Sequence, residues 1–252
     1  MLLQPKAGII YGPVPSRRLG FSLGINVLPT KRKFCTFDCA YCQYGWTERT
    51  PTDGDPFPTV PEVLAAVEEG LRAPAVPPVY LTFSGNGEPT THPEFPSIVQ
   101  GVRALRDRLL PSAKLAILSN STCVGSANVR EALGLLDVRI MKLDAGTESV
   151  FQRYCRPLIT VTLDDIVAGL ADLRDVTLQA LFTGGPGGNA APEHVTAWIE
   201  RVVAIAPAAV QLYTLDRDWP SRELSPLTPD TLDAIAAALR RANCPATVYL
   251  RR

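Results

Sequence analysis

The sequence predicts an α/β fold built on parallel strands, and three observations carry that prediction. From about residue 79 onward, short apolar runs alternate with helix-length amphipathic segments. The runs are rich in β-branched or aromatic residues and bounded by turn formers, as buried strands are. The chain has 252 residues, a length that single α/β barrels reach. Strand–helix alternation implies right-handed crossovers between parallel strands. A barrel-like curl suits the length, and a doubly wound sheet fits the same pattern. One domain is expected over 1–252, with a core of about 20–217, an N-terminal extension 1–19 and a C-terminal helix and strand within 228–252.

The elements follow in order. A first strand is expected around Leu23–Leu28, then a polar, Pro-rich connector, Thr50–Pro61, too short for a domain linker. Thr59 and Glu62 have capping-box spacing ahead of a helix to Leu71. Strand Val79–Phe83, helix Phe95–Leu109, strand Lys114–Leu118, helix Asn128–Leu136 and strand Val138–Leu143 come next. Thr162 and Asp165 open a helix over Leu163–Leu173 in capping-box fashion, followed by strand Thr177–Phe182. Pro192 sits near the start of helix Ala191–Ala206, ahead of strand Ala209–Tyr213. Thr228 and Pro229 start helix Asp230–Ala242, and Thr247–Leu250 reads as a last strand.

Composition narrows the function classes. Hydrophobic residues make up 46% and charged residues 20%, which excludes a disordered chain. A formal net charge of +0 disfavours a globally basic nucleic-acid binder. No apolar run approaches the roughly 18 residues that span a membrane, and Met1–Ile10 lacks signal-peptide character. A cytoplasmic protein without membrane partners is expected. Six cysteines in that reducing compartment point to metal binding or catalysis more than to disulfides. Only His92 and His194 are present, which thins the field for histidine-based sites.

The informative segment is Lys33–Gly45, KFCTFDCAYCQYG, which places Cys35, Cys39 and Cys42 at C-x3-C-x2-C. Three thiolates on one compact loop suit three irons of a [4Fe–4S] cluster and leave the fourth iron open to a ligand. A zinc knuckle would borrow a fourth ligand from Cys123, Cys155 or Cys244, but zinc sites usually pair two C-x2-C units and one is present. Three ordinary loop cysteines are the remaining alternative.

The C-x3-C-x-aromatic-C pattern, with Tyr41 as the aromatic, resembles the signature of the radical S-adenosylmethionine (SAM) superfamily. It follows the first expected barrel strand, as in that family. Ser84-Gly85-Asn86-Gly87-Glu88-Pro89, after Val79–Phe83, resembles the family's Gly-Gly-Glu-Pro-type segment, which contacts the SAM amino group; Asn86 replaces its first glycine. Glycines there let backbone approach a ligand, and the carboxylate can pair with an ammonium. Tyr11–Gly20, Lys142–Thr147 (KLDAGT), Arg156-Pro157, Leu178–Pro186 (LQALFTGGP) and Gln211–Arg217 (QLYTLDR) look like one branch, the iron–sulfur oxidoreductases similar to the wybutosine-synthesis (4-demethylwyosine synthase) group.

The resemblance implies a partial (β/α)6 TIM-like barrel with a [4Fe–4S] cluster and SAM at the C-terminal mouth of the strands. It implies SAM chelating the open iron, reductive cleavage to methionine and a 5′-deoxyadenosyl radical, and hydrogen abstraction from a substrate by an oxidoreductase or transferase. Flavodoxin or ferredoxin is the kind of electron donor implied. The basic run Lys31-Arg32-Lys33 would meet such an acidic partner or draw on the cluster electronically, or is simply a solvated loop.

Further candidates sit at the strand ends. Asn120 and Ser121 are either SAM contacts or a loop turn. Lys142 and Asp144 share one face of a strand and reach SAM or substrate, or form an internal ion pair. Gln179 precedes Gly184-Gly185-Pro186-Gly187-Gly188, a stretch that reads as an anion-approach loop or a flexible surface loop. Gln211, Tyr213, Asp216 and Arg217 form the expected substrate rim, with Tyr213 a hydrogen-atom relay or a packing residue. Arg17 and Arg18 suit phosphate or carboxylate capture, or are solvated charge. Cys155 is a candidate thiol hydrogen donor or an inert buried cysteine. No second cysteine triplet exists, which departs from the wyosine enzymes and weakens a carry-over of their tRNA activity. A small molecule or peptide substrate is ranked ahead of tRNA. The rival class is a non-enzymatic metal protein, either a zinc-stabilised module or an electron carrier.

Overall fold

A computed structural model describes residues 1–47, 56–72 and 76–250. The first part of the Thr50–Pro61 connector, residues 50–55, lies outside the described residues. Strands β1 (Ile10–Ser16) and β2 (Gly20–Ile25) form an antiparallel hairpin. Then follow α1 (Val60–Arg72), β3 (Tyr80–Phe83), α2 (Phe95–Leu109), β4 (Lys114–Ser119), α3 (Ala127–Gly134) and β5 (Val138–Lys142). A short α4 (Glu148–Val150) runs into a π-helical turn at Phe151–Cys155. The chain continues through α5 (Leu163–Ala171), β6 (Val176–Leu181), β7 (Thr183–Gly184), α6 (Pro192–Ile205) and β8 (Ala209–Tyr213). It closes with β9 (Ser225–Pro226), α7 (Pro229–Arg241) and β10 (Ala246–Tyr249).

The main sheet runs β1-β2-β3-β4-β5-β6-β8-β10, parallel from β2 onward. The strands of this sheet follow one another in chain order, with the two-residue β7 and β9 paired apart from it. The sheet curls: Arg17, in the β1–β2 turn, donates to the Leu250 carbonyl just beyond β10 at 2.6 Å and ion-pairs with Asp216 after β8. The mouth at the strands' C-terminal ends is therefore bounded by the hairpin on one side and by β8 and β10 on the other.

Local chemistry accounts for the helices. Thr59 and Glu62 cap α1 reciprocally, with the Thr59 N–H 2.7 Å from Glu62 Oε2 and the Glu62 N–H 3.4 Å from Thr59 Oγ1. Thr162 and Asp165 do the same for α5. On α2, Phe95, Ile98, Val99, Val102 and Leu105 make one buried stripe at helical spacing. Each such side chain contributes about 1.5–3 kcal/mol on burial.

Three expectations needed correction. First, β2 ends at Ile25, three residues before the expected Leu28. Val27 and Leu28 are fully buried but off the ladder, because Asn26 turns the chain by donating from Nδ2 to the Leu28 carbonyl at 3.0 Å. Second, the expected N-terminal extension supplies edge strand β1. Its Gly12, Pro13 and Pro15 read as loop, yet proline is tolerated on an edge, and the register shifts between Tyr11 and Val14. Third, Gly184–Gly188 is no open anion loop. Gly185 has φ +88°, and a Cβ there would fall 2.2 Å from the Glu223 carbonyl oxygen, so the loop is closed against the chain's own β9 approach. The stretch Glu148–Cys155, which carried no predicted helix, winds through α4 and the π turn.

Candidate active site

The three cysteines lie on the loop after β2, gripped along both sides by backbone hydrogen bonds. On one side the Phe34 N–H donates to the Asn86 carbonyl at 2.7 Å, and the Glu88 N–H donates to the Phe34 carbonyl at 3.1 Å. On the other, Asp38 N–H bonds to the Arg156 carbonyl and Ala40 N–H to the Tyr154 carbonyl, both at 3.0 Å, while Leu158 N–H reaches the Thr36 carbonyl at 2.8 Å. Arg156, in the left-handed conformation at φ +53°, also bonds Asp38 Oδ2 through Nε at 3.2 Å. Arg156-Pro157 is thus a wall of the cysteine loop.

Cys35 and Cys42 line a cavity of about 520 Å³ beyond the strand ends, and Cys39 is buried and not among its lining residues. Burial pushes the Cys35 thiol up to about 12, against the pull of Lys33, and pushes Cys39 higher still. Such thiols ionise only against a strong local cation such as a bound metal. Burial lowers the Lys33 ammonium, but nearby Cys42, Cys35 and Cys39 outweigh it and raise it. Asn120 Nδ2 stands 3.6 Å from Cys35 Sγ, an N–H···S contact of the kind that tunes iron–sulfur clusters. Among the described residues no three or more His, Cys, Asp or Glu side chains, the three cysteines included, are drawn together around a single point. Three soft thiols spread along one loop, whose one carboxylate, Asp38, is held by Arg156, fit a cubane that assigns each sulfur its own iron.

The expected SAM contacts divide. Tyr41, Gly85 and Gly87 line the cavity. Asn86 is buried and spent on the chain itself: its Oδ1 accepts from the Lys6 N–H at 2.6 Å, and its Nδ2 donates to the Lys6 and Pro29 carbonyls at 3.0 Å each. The Glu88 carboxylate, also buried, accepts from Thr90 N–H (3.0 Å), Thr90 Oγ1 (2.6 Å), Ser119 Oγ (2.9 Å) and the Asn120 N–H. Burial raises its pKa against those bonds. It is a strut joining the β3 loop to the end of β4, and Pro89 opens a 3₁₀ turn behind it. Asn120 bonds Thr36 Oγ1 at 2.8 Å, tying β4 to the cysteine loop, and Ser121 donates to the Lys142 carbonyl at 2.8 Å.

A polar chain crosses the next strands. Tyr41 donates to Asp144, whose Oδ1 pairs with Lys142 Nζ at 2.9 Å. Lys142 also donates to the Tyr213 hydroxyl at 3.0 Å, which donates to Gln179 Oε1 at 3.2 Å. Gln179 Nε2 reaches Gln211 Oε1 at 3.1 Å. The predicted Lys142–Asp144 pair is thus an internal ion pair that orients neighbours. Burial lowers the Lys142 ammonium, but Asp144 outweighs it and holds it charged. Burial, then Asp144, raises Tyr41 well above 10, so it stays a donor. Gln179, Tyr213, Arg17, Arg18, Asp216 and Arg217 all line the cavity. Cys155 is buried, its thiol raised well up by burial, and is not among the cavity-lining residues.

A family model described as the radical SAM superfamily matches residues 32–199, a span from the cysteine loop to α6. The chain belongs to the radical SAM superfamily. A UPF0026 protein of Methanocaldococcus jannaschii is 36% identical over 176 residues, which is 69% of this chain and 52% of that relative. Across the first curated relatives matched, this chain spans 34% to 61% of their length. The crystal structure of a radical SAM methyltransferase from Sphaerobacter thermophilus aligns with TM-score 0.68 at 15% identity, over 92% of this chain and 66% of that one. The structure of TYW1 with a lysine–pyruvate adduct bound aligns with TM-score 0.61 at 14% identity, over 89% of this chain and 75% of that one. These likenesses show a shared fold. Members of the radical SAM superfamily are enzymes of SAM-dependent radical chemistry.

Cavity residues that sequence reasoning missed come from the hairpin and the barrel floor. Tyr11 Oη lies 2.6 Å from Ser84 Oγ, and Ser22 Oγ lies 2.6 Å from Thr82 Oγ1. Their signal was the alternation of β1 and β2, hidden in β1 by its prolines.

Proposed function

We propose that this radical SAM protein holds a [4Fe–4S] cluster on Cys35, Cys39 and Cys42 and cleaves SAM reductively to act on a small molecule or peptide. The observation that carries the reading is three thiols on one doubly clamped loop, two of them opening into the cavity at the strands' C-terminal ends. When bound, the cluster and SAM supply a 5′-deoxyadenosyl radical that takes a hydrogen atom from the substrate. Gly85 and Gly87 would offer the SAM amino acid portion backbone, and Tyr41 would pack beside it, fixed through Asp144. Asn120 would hold Cys35 in place through its N–H···S contact. Net charge +0 favours a small or peptide substrate over tRNA. The TYW1 neighbour carries a lysine–pyruvate adduct. For this chain, Lys142 is an ion-paired ammonium with no free lone pair for carbonyl attack, which does not favour the same use.

Lys31-Arg32-Lys33, just ahead of Cys35, supports docking of an acidic electron donor of the flavodoxin or ferredoxin type. A reducing cytoplasm suits six unbridged cysteines. Among the described residues no helix is long and apolar enough to cross a membrane.

Anaerobic purification and metal analysis test this reading. A brown, oxygen-sensitive protein with about four irons is expected, its colour lost in Cys35→Ala. A colourless zinc protein would refute it.

A further inference from the structure

Arg18 lies in the β1–β2 turn and lines the cavity. Its guanidinium carbon stands 4.4 Å from the Tyr213 ring centroid and 5.8 Å from that of Tyr249. Among the described residues no carboxylate pairs with it. Arg17 differs: it ion-pairs with Asp216 and donates to the Leu250 carbonyl, so it fixes the turn against the end of β10. Both arginines line the cavity, but Arg17 is spent on holding the chain and Arg18 is not.

The platform under Arg18 is rigid. Tyr213 is held at its hydroxyl by Lys142 and Gln179, and Gln179 by Gln211. Lys142 is neutralised by Asp144, so the uncompensated charge on this wall is that of Arg18. A guanidinium over a ring face keeps its in-plane N–H donors for a second partner, and their fork matches a carboxylate or phosphate. The balance around the cavity agrees. Lys6, over the Tyr11 ring at 5.0 Å, and Arg217 also line it, and no described carboxylate pairs with either. The acidic lining residues Asp216 and Asp218 are engaged by Arg17 and the Met1 amino group. In a chain of net charge +0, surplus positive charge is concentrated in this cavity.

We infer that Arg18 is the receptor for a substrate oxyanion, and that the substrate is a small molecule bearing a carboxylate or phosphate. The inference rests on the proposed radical SAM reading for the reaction it serves, but not for the binding itself. A small molecule is favoured over a nucleic acid because the cations line a cavity of about 520 Å³ and not an outer face.

The test is calorimetric titration of inorganic phosphate, of succinate and of a short single-stranded RNA into the reconstituted full chain, without and with SAM. Wild type, Arg18→Gln, Arg18→Lys and the exposed-surface control Arg241→Gln are compared. Phosphate or succinate should bind wild type and weaken by about tenfold or more in Arg18→Gln, with Arg241→Gln unchanged. Arg18→Lys, which keeps the charge but loses the fork, should fall between and serves if Arg18→Gln fails to fold. SAM affinity, titrated separately, should stay within about threefold in both Arg18 variants. Phosphate binding distinguishes a phosphorylated substrate from a carboxylate one. The inference is overturned if neither anion binds wild type, if Arg18 variants bind as wild type does, if RNA alone binds through Arg18, or if SAM affinity falls in parallel. A wild type that binds the anion but not SAM would sink the radical SAM reading and leave the receptor standing.

Discussion

Replacing Gly87 by alanine tests whether the loop after β3 holds the cysteine loop in place. Gly87 has φ +146°, and a Cβ built there falls 1.7 Å from the Phe34 carbonyl oxygen, one residue before Cys35. The two loops cannot both keep their positions. Separating them loses the Phe34 N–H bond to Asn86 at 2.7 Å and the Glu88 N–H bond to Phe34 at 3.1 Å. Two backbone bonds at about 1 kcal/mol each contribute about 2 kcal/mol. A non-glycine residue forced to that φ adds about 1–3 kcal/mol. The sum is about 3–5 kcal/mol, and at about 2–4 °C per kcal/mol for a chain of this size Tm should fall by on the order of 10 °C. Circular dichroism melting of the metal-free protein measures the fall, and iron content after anaerobic reconstitution should drop with it. A Gly87→Ala protein that melts within about 2 °C of wild type and binds full iron would refute the interlock.

Other changes probe the frame around the site. Asp137→Asn strips one of the two ion-pair partners of Arg106, which is 7% exposed, the contact at 2.7 Å, and leaves Asp107 at 2.6 Å. Burial raises the Asp137 carboxyl, but Arg106 and the Leu115 N–H outweigh it and hold it below the usual aspartate range. The pair's stabilisation is therefore present above about pH 4 and lost as pH falls through the folded value. Because Asp137 is partly solvated, about 1–2 kcal/mol is expected at pH 7, with urea melts of wild type and variant converging in acid. Trp198→Ala empties a site buried to 1% exposure and orphans the Leu143 carbonyl that Nε1 reaches at 2.8 Å; urea melts should show a loss of about 3–5 kcal/mol. Arg17→Ala should change global stability by less than about 1 kcal/mol, since its partners are partly solvated. Amide exchange should nonetheless quicken in the β1–β2 turn and around Leu250 if Arg17 ties them together.

What was legible in the sequence was local. The Thr59–Glu62 and Thr162–Asp165 boxes are satisfied within four residues, so spacing alone reveals them. The parallel strands announced themselves because both faces are covered and their apolar runs are continuous. The site cysteines were legible as a pattern, and the family model confirms the superfamily to which that pattern belongs. Other features depend on tertiary partners. Strand β1 exists because β2 pairs with it, despite its prolines. The residue pattern of Glu88 suggests a ligand for an ammonium, whereas its four donors come from the chain itself. Gly184–Gly188 has the composition of a ligand loop, but what approaches it is Glu223. Arg17 and Arg18 are identical in type and adjacent, and only the fold separates their roles.

The most direct test of the central claim is SAM cleavage. The reconstituted protein, kept free of oxygen, is given dithionite and SAM, and 5′-deoxyadenosine is measured by mass spectrometry. The account predicts its formation in wild type and its loss in Cys39→Ala. A protein carrying a full cluster that forms none, with phosphate or succinate present or absent, would contradict it.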